Sequence, residues 1–74
     1  MGDNQTFEVT KKVGRKLKAA REKKNLSQAE VAEKADINAN YYARIERGEV
    51  NPSLEIIHNI IKALGIKSSD ILSF

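Results

Sequence analysis

Two short segments separated by only a few residues constrain the fold of this chain most strongly. Ser27 and Asn38 each precede an apolar repeat of helical period, and both residue types accept hydrogen bonds from the first turn of a helix. Glu30 completes the Ser-x-x-Glu capping box. The pattern predicts helices over residues 28–35 and 38–47. Because about three residues join them, the helices cross steeply and the second projects from the domain.

The same signals predict two or three further helices. One runs from about Thr10, or earlier, to Lys24, and Asn25 ends it. Another follows Ser53 and stops at Gly65, and its apolar side consists of Leu54, Ile57, Ile60, Ile61 and Leu64. A last turn begins at Ser68 or Ser69. Because no stretch alternates with the period of a strand, we predict one all-α domain of four to five helices over residues 10–74, after a largely disordered segment at 1–9.

Size and composition narrow the class of function. A chain of 74 residues with no cysteine and one histidine lacks the core for an enclosed pocket and the ligands for a thiolate metal site, so we expect no enzyme, cofactor, metal or small-molecule ligand. A signal peptide and a long apolar run are missing, which favours a cytoplasmic protein without a membrane partner. Eight basic and three acidic residues precede Asn25. This surplus of positive charge can attract a polyanion, and the alternative is an ordinary solvated helix face.

The outer face of the projecting helix carries the candidate chemistry. Asn40 has the donor and the acceptor that pair with an adenine edge, and the guanidinium of Arg44 can donate two hydrogen bonds to a guanine. Arg47 can reach a phosphate. Ala39 and Ala43 let a helix approach closely and could meet a thymine methyl. The pattern predicts insertion of this helix into a DNA major groove.

Residues 26–66, LSQAEVAEKADINANYYARIERGEVNPSLEIIHNIIKALGI, together with LKAAR at 17–21, resemble the helix-turn-helix domain of phage repressors, Cro proteins and xenobiotic-response-element type regulators. The resemblance implies a lambda-repressor-like fold and a partner of double-stranded DNA. It places Ala39, Asn40 and Arg44 at the bases, with Ala43 beside them, and implies that phosphates are contacted by Gln28, Asn38, Tyr41 and Arg47. For Tyr41, packing against Ile45 is an alternative.

The resemblance also pairs Arg21 with Glu46. Both fall at the edges of apolar helix faces, so an ion pair between helices is a sensible structural role on the residues alone. Asp36 stands where the family usually has glycine in the turn, and aspartate can adopt the left-handed conformation that the turn needs.

Apolar residues toward the carboxyl end exceed what one small core needs. A symmetric dimer would bury the surplus and set two projecting helices one DNA turn apart, about 34 Å; the alternative is that the last helix caps the core. The interpretation is a transcriptional regulator, of repressor or controller type, that binds a near-palindromic operator as a homodimer, or alternatively a protein-interaction module such as an antitoxin. The predicted dimer contacts are Ile56, Ile66, Ile71, Leu72 and Phe74.

Overall fold

Helices make up the regular secondary structure of residues 2–73, the part of the chain that the computed structural model describes, with side chains from Glu8 onward. No strand occurs in this part, which confirms the all-α prediction. None of its helices is long and apolar enough to cross a membrane. The five helices are α1 Gly2–Lys23, α2 Gln28–Ala35, α3 Ala39–Glu46, α4 Leu54–Leu64 and α5 Ser68–Leu72.

The ends of α2 follow the predicted chemistry. The Glu30 backbone N–H donates to Ser27 Oγ at 3.0 Å, and the Ser27 N–H donates to Glu30 Oε1 at 2.8 Å, which completes the capping box. Asp36 ends the helix with φ 60° and ψ 45°, the left-handed conformation expected of it. The turn to α3 therefore forms without glycine, and the predicted bounds of α2 are confirmed.

The first helix agrees with the predicted start at Thr10 or earlier, and the last helix differs from the prediction in its cap. The backbone of α1 is helical from Gly2, earlier than Thr10, while disorder of residues 1–9 stays a prediction because side chains are described only from Glu8. Lys67, not Ser68 or Ser69, is the N-cap of α5. Lysine has no side-chain acceptor, so Asp70 closes this turn instead by accepting from the Lys67 N–H at 3.1 Å.

The core lies among all five helices: α2 packs against α4 and α3, α1 packs against α3 and α5, and α5 also contacts α4. Its fully buried side chains include Leu17, Tyr42, Ile45 and Ile60. Leu54, which the helical pattern places on the apolar stripe of α4, is instead 77% exposed. It is the first residue of that helix, where the end of the element extends beyond the core.

A close approach between α1 and the end of α3 depends on Gly14. A Cβ at this position would lie 2.4 Å from the Glu46 carbonyl oxygen and 2.6 Å from that of Ile45. One helical turn earlier in α1, Thr10 Oγ1 donates to the Gly48 carbonyl at 3.2 Å. These contacts attach the last turn of α3 to α1, and glycine is the residue that leaves room for them.

We predict that Gly14→Ala destabilises the domain by about 1–3 kcal/mol, because overpacking against two backbone carbonyls outweighs the helix propensity of alanine. Gly65→Ala is the control: its φ of 69° imposes a backbone cost, but the nearest atom, Lys24 Nζ, is 3.9 Å from the added Cβ. Urea unfolding measures both. A Gly14→Ala protein as stable as the parent would contradict the close approach.

Candidate nucleic-acid interface

The start of α3 is set by Asn38. Its Oδ1 accepts from the Asn40 N–H at 2.8 Å and from the Tyr41 N–H at 3.2 Å. This N-cap satisfies two backbone donors of the first turn, and it leaves the amide nitrogen of Asn38 unused by the cap. The exposed position of Asn38 at the head of the helix is compatible with its predicted phosphate contact.

The two sides of α3 differ sharply in exposure. Tyr42 and Ile45 are 0% and 1% exposed and anchor the helix in the core. On the opposite side the Arg44 and Arg47 side chains are 52% and 55% exposed. The structure thus brings the predicted base-facing residues to one solvent-facing side of α3, with Ala43 half-buried and the others exposed: Ala39, Asn40, Ala43 and Arg44.

A buried ion pair holds α3 against α1. Arg21 Nε donates to Glu46 Oε2 at 2.7 Å, and Arg21 Nη2 donates to Glu46 Oε1 at 3.2 Å. The two side chains are 12% and 3% exposed. Arg21 Nη1 also donates to the Leu26 carbonyl at 2.8 Å, so the guanidinium ties the end of α1 to the α1–α2 loop as well.

Gln28 extends this ion pair to α2. Its Nε2 donates to Glu46 Oε1 at 2.9 Å, which links the first turn of α2 to α3. The carboxylate of Glu46 is therefore shared by side chains of two other helices. An amide nitrogen has two N–H groups, so the half-buried Gln28 keeps a second donor for the predicted phosphate contact.

The ionisation of Glu46 reflects these contacts. Burial alone raises the pKa of the Glu46 carboxyl, but Arg21, the neighbouring Tyr42 hydroxyl and Gln28 together outweigh burial and hold the pKa below its ordinary value. The hydrogen bond to Glu46 also raises the pKa of Arg21. Both groups are charged at neutral pH, so the link between the helices is ionic.

Both tyrosines of α3 pack inward to different extents. Tyr41 is half-buried and packs against the core, which supports the packing alternative without removing its hydroxyl from a phosphate role. The Tyr42 hydroxyl is buried beside Glu46 and Arg21, but among the described residues it makes no hydrogen bond of regular geometry. Burial raises the pKa of Tyr42, so this hydroxyl is neutral.

The end of α3 contains a feature that sequence reasoning missed. Gly48 adopts φ 74°, and the chain reverses so that Glu49 lies beside the two exposed arginines of α3. Glu49 Oε2 accepts from Arg47 Nε at 2.7 Å, and Oε1 lies 3.6 Å from Arg44 Nε. The acid directly after the helix-stopping glycine was the available signal.

The residues predicted for a dimer surface fall into different environments. Ile71 is 1% exposed and belongs to the core of the single chain, which corrects its assignment to that surface, because α5 turns this side chain inward. Ile56 and Ile66 are half-buried against the core, and Leu72 is 37% exposed. Phe74 lies outside the described residues.

Comparison with known proteins identifies a helix-turn-helix domain in this chain. Residues 17–71 match the family model of helix-turn-helix proteins. The immunity repressor protein of Bacillus phage phi105 is 43% identical over 60 residues, which are 81% of this chain and 42% of the repressor. The control protein C.BamHI of Bacillus amyloliquefaciens is 42% identical over 62 residues, 82% of this chain and 76% of that protein.

A solved structure shows the same fold. The restriction-modification controller protein C.AhdI from Aeromonas hydrophila superposes with a TM-score of 0.82 and is 32% identical in sequence. The match covers 85% of this chain and 96% of the C.AhdI chain. The likeness therefore extends well beyond the two helices of the motif.

The buried ion pair predicts a pH-dependent stability. Glu46→Gln should cost about 1–3 kcal/mol at pH 7, because the partly buried Arg21 would lose its counterion. Since the folded-state pKa of Glu46 is lowered, its contribution is present above the ordinary glutamate value of 4.5 and is lost as pH falls through the folded value.

Urea unfolding at pH 7 and at pH 3 measures this difference. The parent should lose more stability on acidification than Glu46→Gln, while the control Glu33→Gln, at an exposed site of α2, should behave as the parent. Equal acid losses in the parent and in Glu46→Gln would contradict the role of the pair.

Proposed function

The chain belongs to the helix-turn-helix family, and we propose that it is a sequence-specific regulator of transcription that binds double-stranded DNA through α3. The observation that carries the proposal is the division of α3. Its inner side is anchored by Tyr42, Ile45 and Glu46, whereas Asn40, Arg44 and Arg47 are exposed together on its outer side.

The outer side chains suit the edges of base pairs. We infer that Asn40 pairs with an adenine through its amide and that Arg44 pairs with a guanine through two parallel N–H groups. Ala39 and Ala43 add little volume between them, which allows α3 to lie deep in the major groove. Because methyl contacts specify bases less strongly than paired hydrogen bonds, Asn40 and Arg44 carry most of the discrimination.

Phosphate contacts would orient α3 in the groove. Gln28 at the start of α2, Asn38 and Tyr41 at the start of α3, and Arg47 at its end are assigned to the sugar-phosphate backbone. Gln28 and Asn38 each keep an unused amide N–H beside the contacts described above. These contacts are the same on every sequence, so they position the protein and do not select the operator.

The names of the relatives favour control of transcription over other uses of the fold. The phage protein is named an immunity repressor and C.BamHI a control protein, and both match more than four-fifths of this chain. Because the chain spans less than half the length of the phage repressor, only the DNA-binding role is carried over from that relative. We place this chain among cytoplasmic regulators of the repressor or controller type.

A homodimer on a near-palindromic operator completes the proposal. Two copies related by a twofold axis present two α3 helices to successive major grooves, about 34 Å apart. Half-buried and exposed apolar side chains on α4 and after it support such a contact, and they include Ile56, Ile66 and Leu72. The part of Phe74 in the dimer contact stays a prediction from the sequence, since Phe74 lies outside the described residues.

Selection of duplexes from a random DNA pool, followed by titration with salt, tests the proposed function. We expect enrichment of a short inverted repeat and a log affinity that falls linearly with log salt concentration. Absence of binding to any duplex at low salt would contradict DNA binding and would favour a protein-interaction module of the same fold.

Two substitutions separate base reading from positioning. Arg44→Ala should cost about 1–3 kcal/mol on the selected site and relax preference at one base position. Gln28→Ala should weaken binding to all duplexes by a similar factor, since it removes a phosphate donor. Thermal unfolding of each variant controls for loss of the Gln28 bond to Glu46. Equal effects of both substitutions on every duplex would refute the assigned roles.

The dimer contact predicts a change in self-association. Leu72→Asp should weaken dimerisation by at least about ten-fold, because a charge would be buried in an apolar interface. Val9→Asp is the control, since Val9 is 43% exposed on α1 and Leu72 is 37% exposed. Sedimentation equilibrium measures both variants. Unchanged association of Leu72→Asp would place the interface elsewhere.

A further inference from the structure

Glu49 lies beside two exposed arginines with one carboxylate: Arg44 of α3 and Arg47, the C-cap of that helix. Arg47 Nε donates to Oε2 at 2.7 Å, and Arg47 Nη2 donates to Oε1 at 3.3 Å, which makes a bidentate pair. Arg44 Nε lies 3.6 Å from the same Oε1. The arginine assigned to a phosphate is therefore hydrogen-bonded to an anion of the protein itself, and the arginine assigned to a guanine lies close to the same anion.

The backbone keeps this carboxylate in place. Gly48 donates to the Ile45 carbonyl at 3.0 Å, and Glu49 donates to the Arg44 carbonyl at 3.0 Å, the paired bonds of a Schellman helix end. The Gly48 carbonyl in turn accepts from Thr10 Oγ1 at 3.2 Å. A tethered anion has a high effective concentration at its partner, so Glu49 competes continuously for the two guanidinium groups.

The ion pairs of Glu49 are exposed and therefore exchangeable. Its side chain is 46% exposed, and the paired arginine side chains are 52% and 55% exposed. Exposed ion pairs are weak because water and salt screen them. The hydrogen bond from Arg47 lowers the pKa of Glu49, so the carboxylate is ionised at neutral pH. A phosphate oxygen offers the same acceptor chemistry and can replace it.

We propose that Glu49 acts as an internal substitute for a DNA phosphate, which Arg47 exchanges for the sugar-phosphate backbone on binding, and that it thereby limits the affinity of this protein for duplexes of any sequence. The inference rests on the proposed function. Glu49 is hydrogen-bonded to Arg47, which is assigned to phosphate, and not to Arg44, whose Nε lies 3.6 Å away. The limit therefore applies about equally to operator and non-operator DNA. The residue therefore sets how much of the protein is held on non-specific sites at a given salt concentration.

Fluorescence anisotropy at several salt concentrations tests the proposal. It measures the affinity of Glu49→Gln for an operator duplex and for a scrambled duplex. We expect affinity for both duplexes to rise roughly three- to ten-fold, and the plot of log affinity against log salt to become steeper by up to about one unit. Glu33→Gln is the matched control, because it removes the same charge from an exposed acid of α2.

A double variant tests whether the gain in affinity of Glu49→Gln depends on Arg47. In the Arg47→Ala background, Glu49→Gln should raise affinity by a smaller factor than in the parent. An NMR titration without DNA provides a separate readout, in which the lowered pKa of Glu49 should rise toward its ordinary value in Arg47→Ala.

Several results would overturn the inference. If the parent binds DNA and Glu49→Gln binds with equal or lower affinity, Glu49 does not compete, although the proposed function stands. An equal gain from Glu33→Gln would reduce the effect to net charge, and an unchanged pKa of Glu49 in Arg47→Ala would remove the ion pair. If the parent binds no duplex, the proposed function fails.

Discussion

The buried ion pair between Arg21 and Glu46 is the interaction on which the position of α3 depends. A carboxylate that is 3% exposed is stable only if its charge is compensated, and Arg21 supplies two N–H groups to it while Gln28 supplies a third. These donors come from α1 and α2, so satisfying one acid joins α1, α2 and α3. The same geometry turns Asn40 and Arg44 outward, toward the proposed DNA surface.

The C-terminal end of α3 is also held in place by tertiary contacts, and the chain that follows it carries a residue with a proposed function. Gly14 lets α1 approach the last carbonyls of α3, and the left-handed Gly48 reverses the chain immediately afterwards. This reversal brings Glu49 to the exposed arginines. A helix-stop motif, which is ordinarily a matter of stability, here also places an anion next to the groups that would meet DNA.

Local signals in the sequence predicted the elements well because they act over a few residues. The structure confirms three of these features: the capping box of Ser27, the N-cap of Asn38 and the left-handed conformation of Asp36. Each could be predicted because it involves only residues close by in the sequence. The predictions failed where the burial of a side chain depends on residues far away in the sequence. Leu54 is exposed and Ile71 is buried in the single chain, because each outcome depends on where a helix end meets the rest of the core.

The sequence by itself determined the helices, the caps of α2, α3 and α4, the short turn between α2 and α3, and the polar character of the outer side of α3. Helical period and hydrogen-bonding type are local properties. Only the tertiary structure decided that α1 passes within contact of the end of α3 at Gly14, and that Gln28 joins the Arg21–Glu46 pair. It also placed Glu49 on two arginines. The close approach and the Gln28 bond join residues distant in sequence, which residue pattern alone does not bring together. The Glu49 contacts are local and follow from the left-handed Gly48, so a sequence signal existed for them.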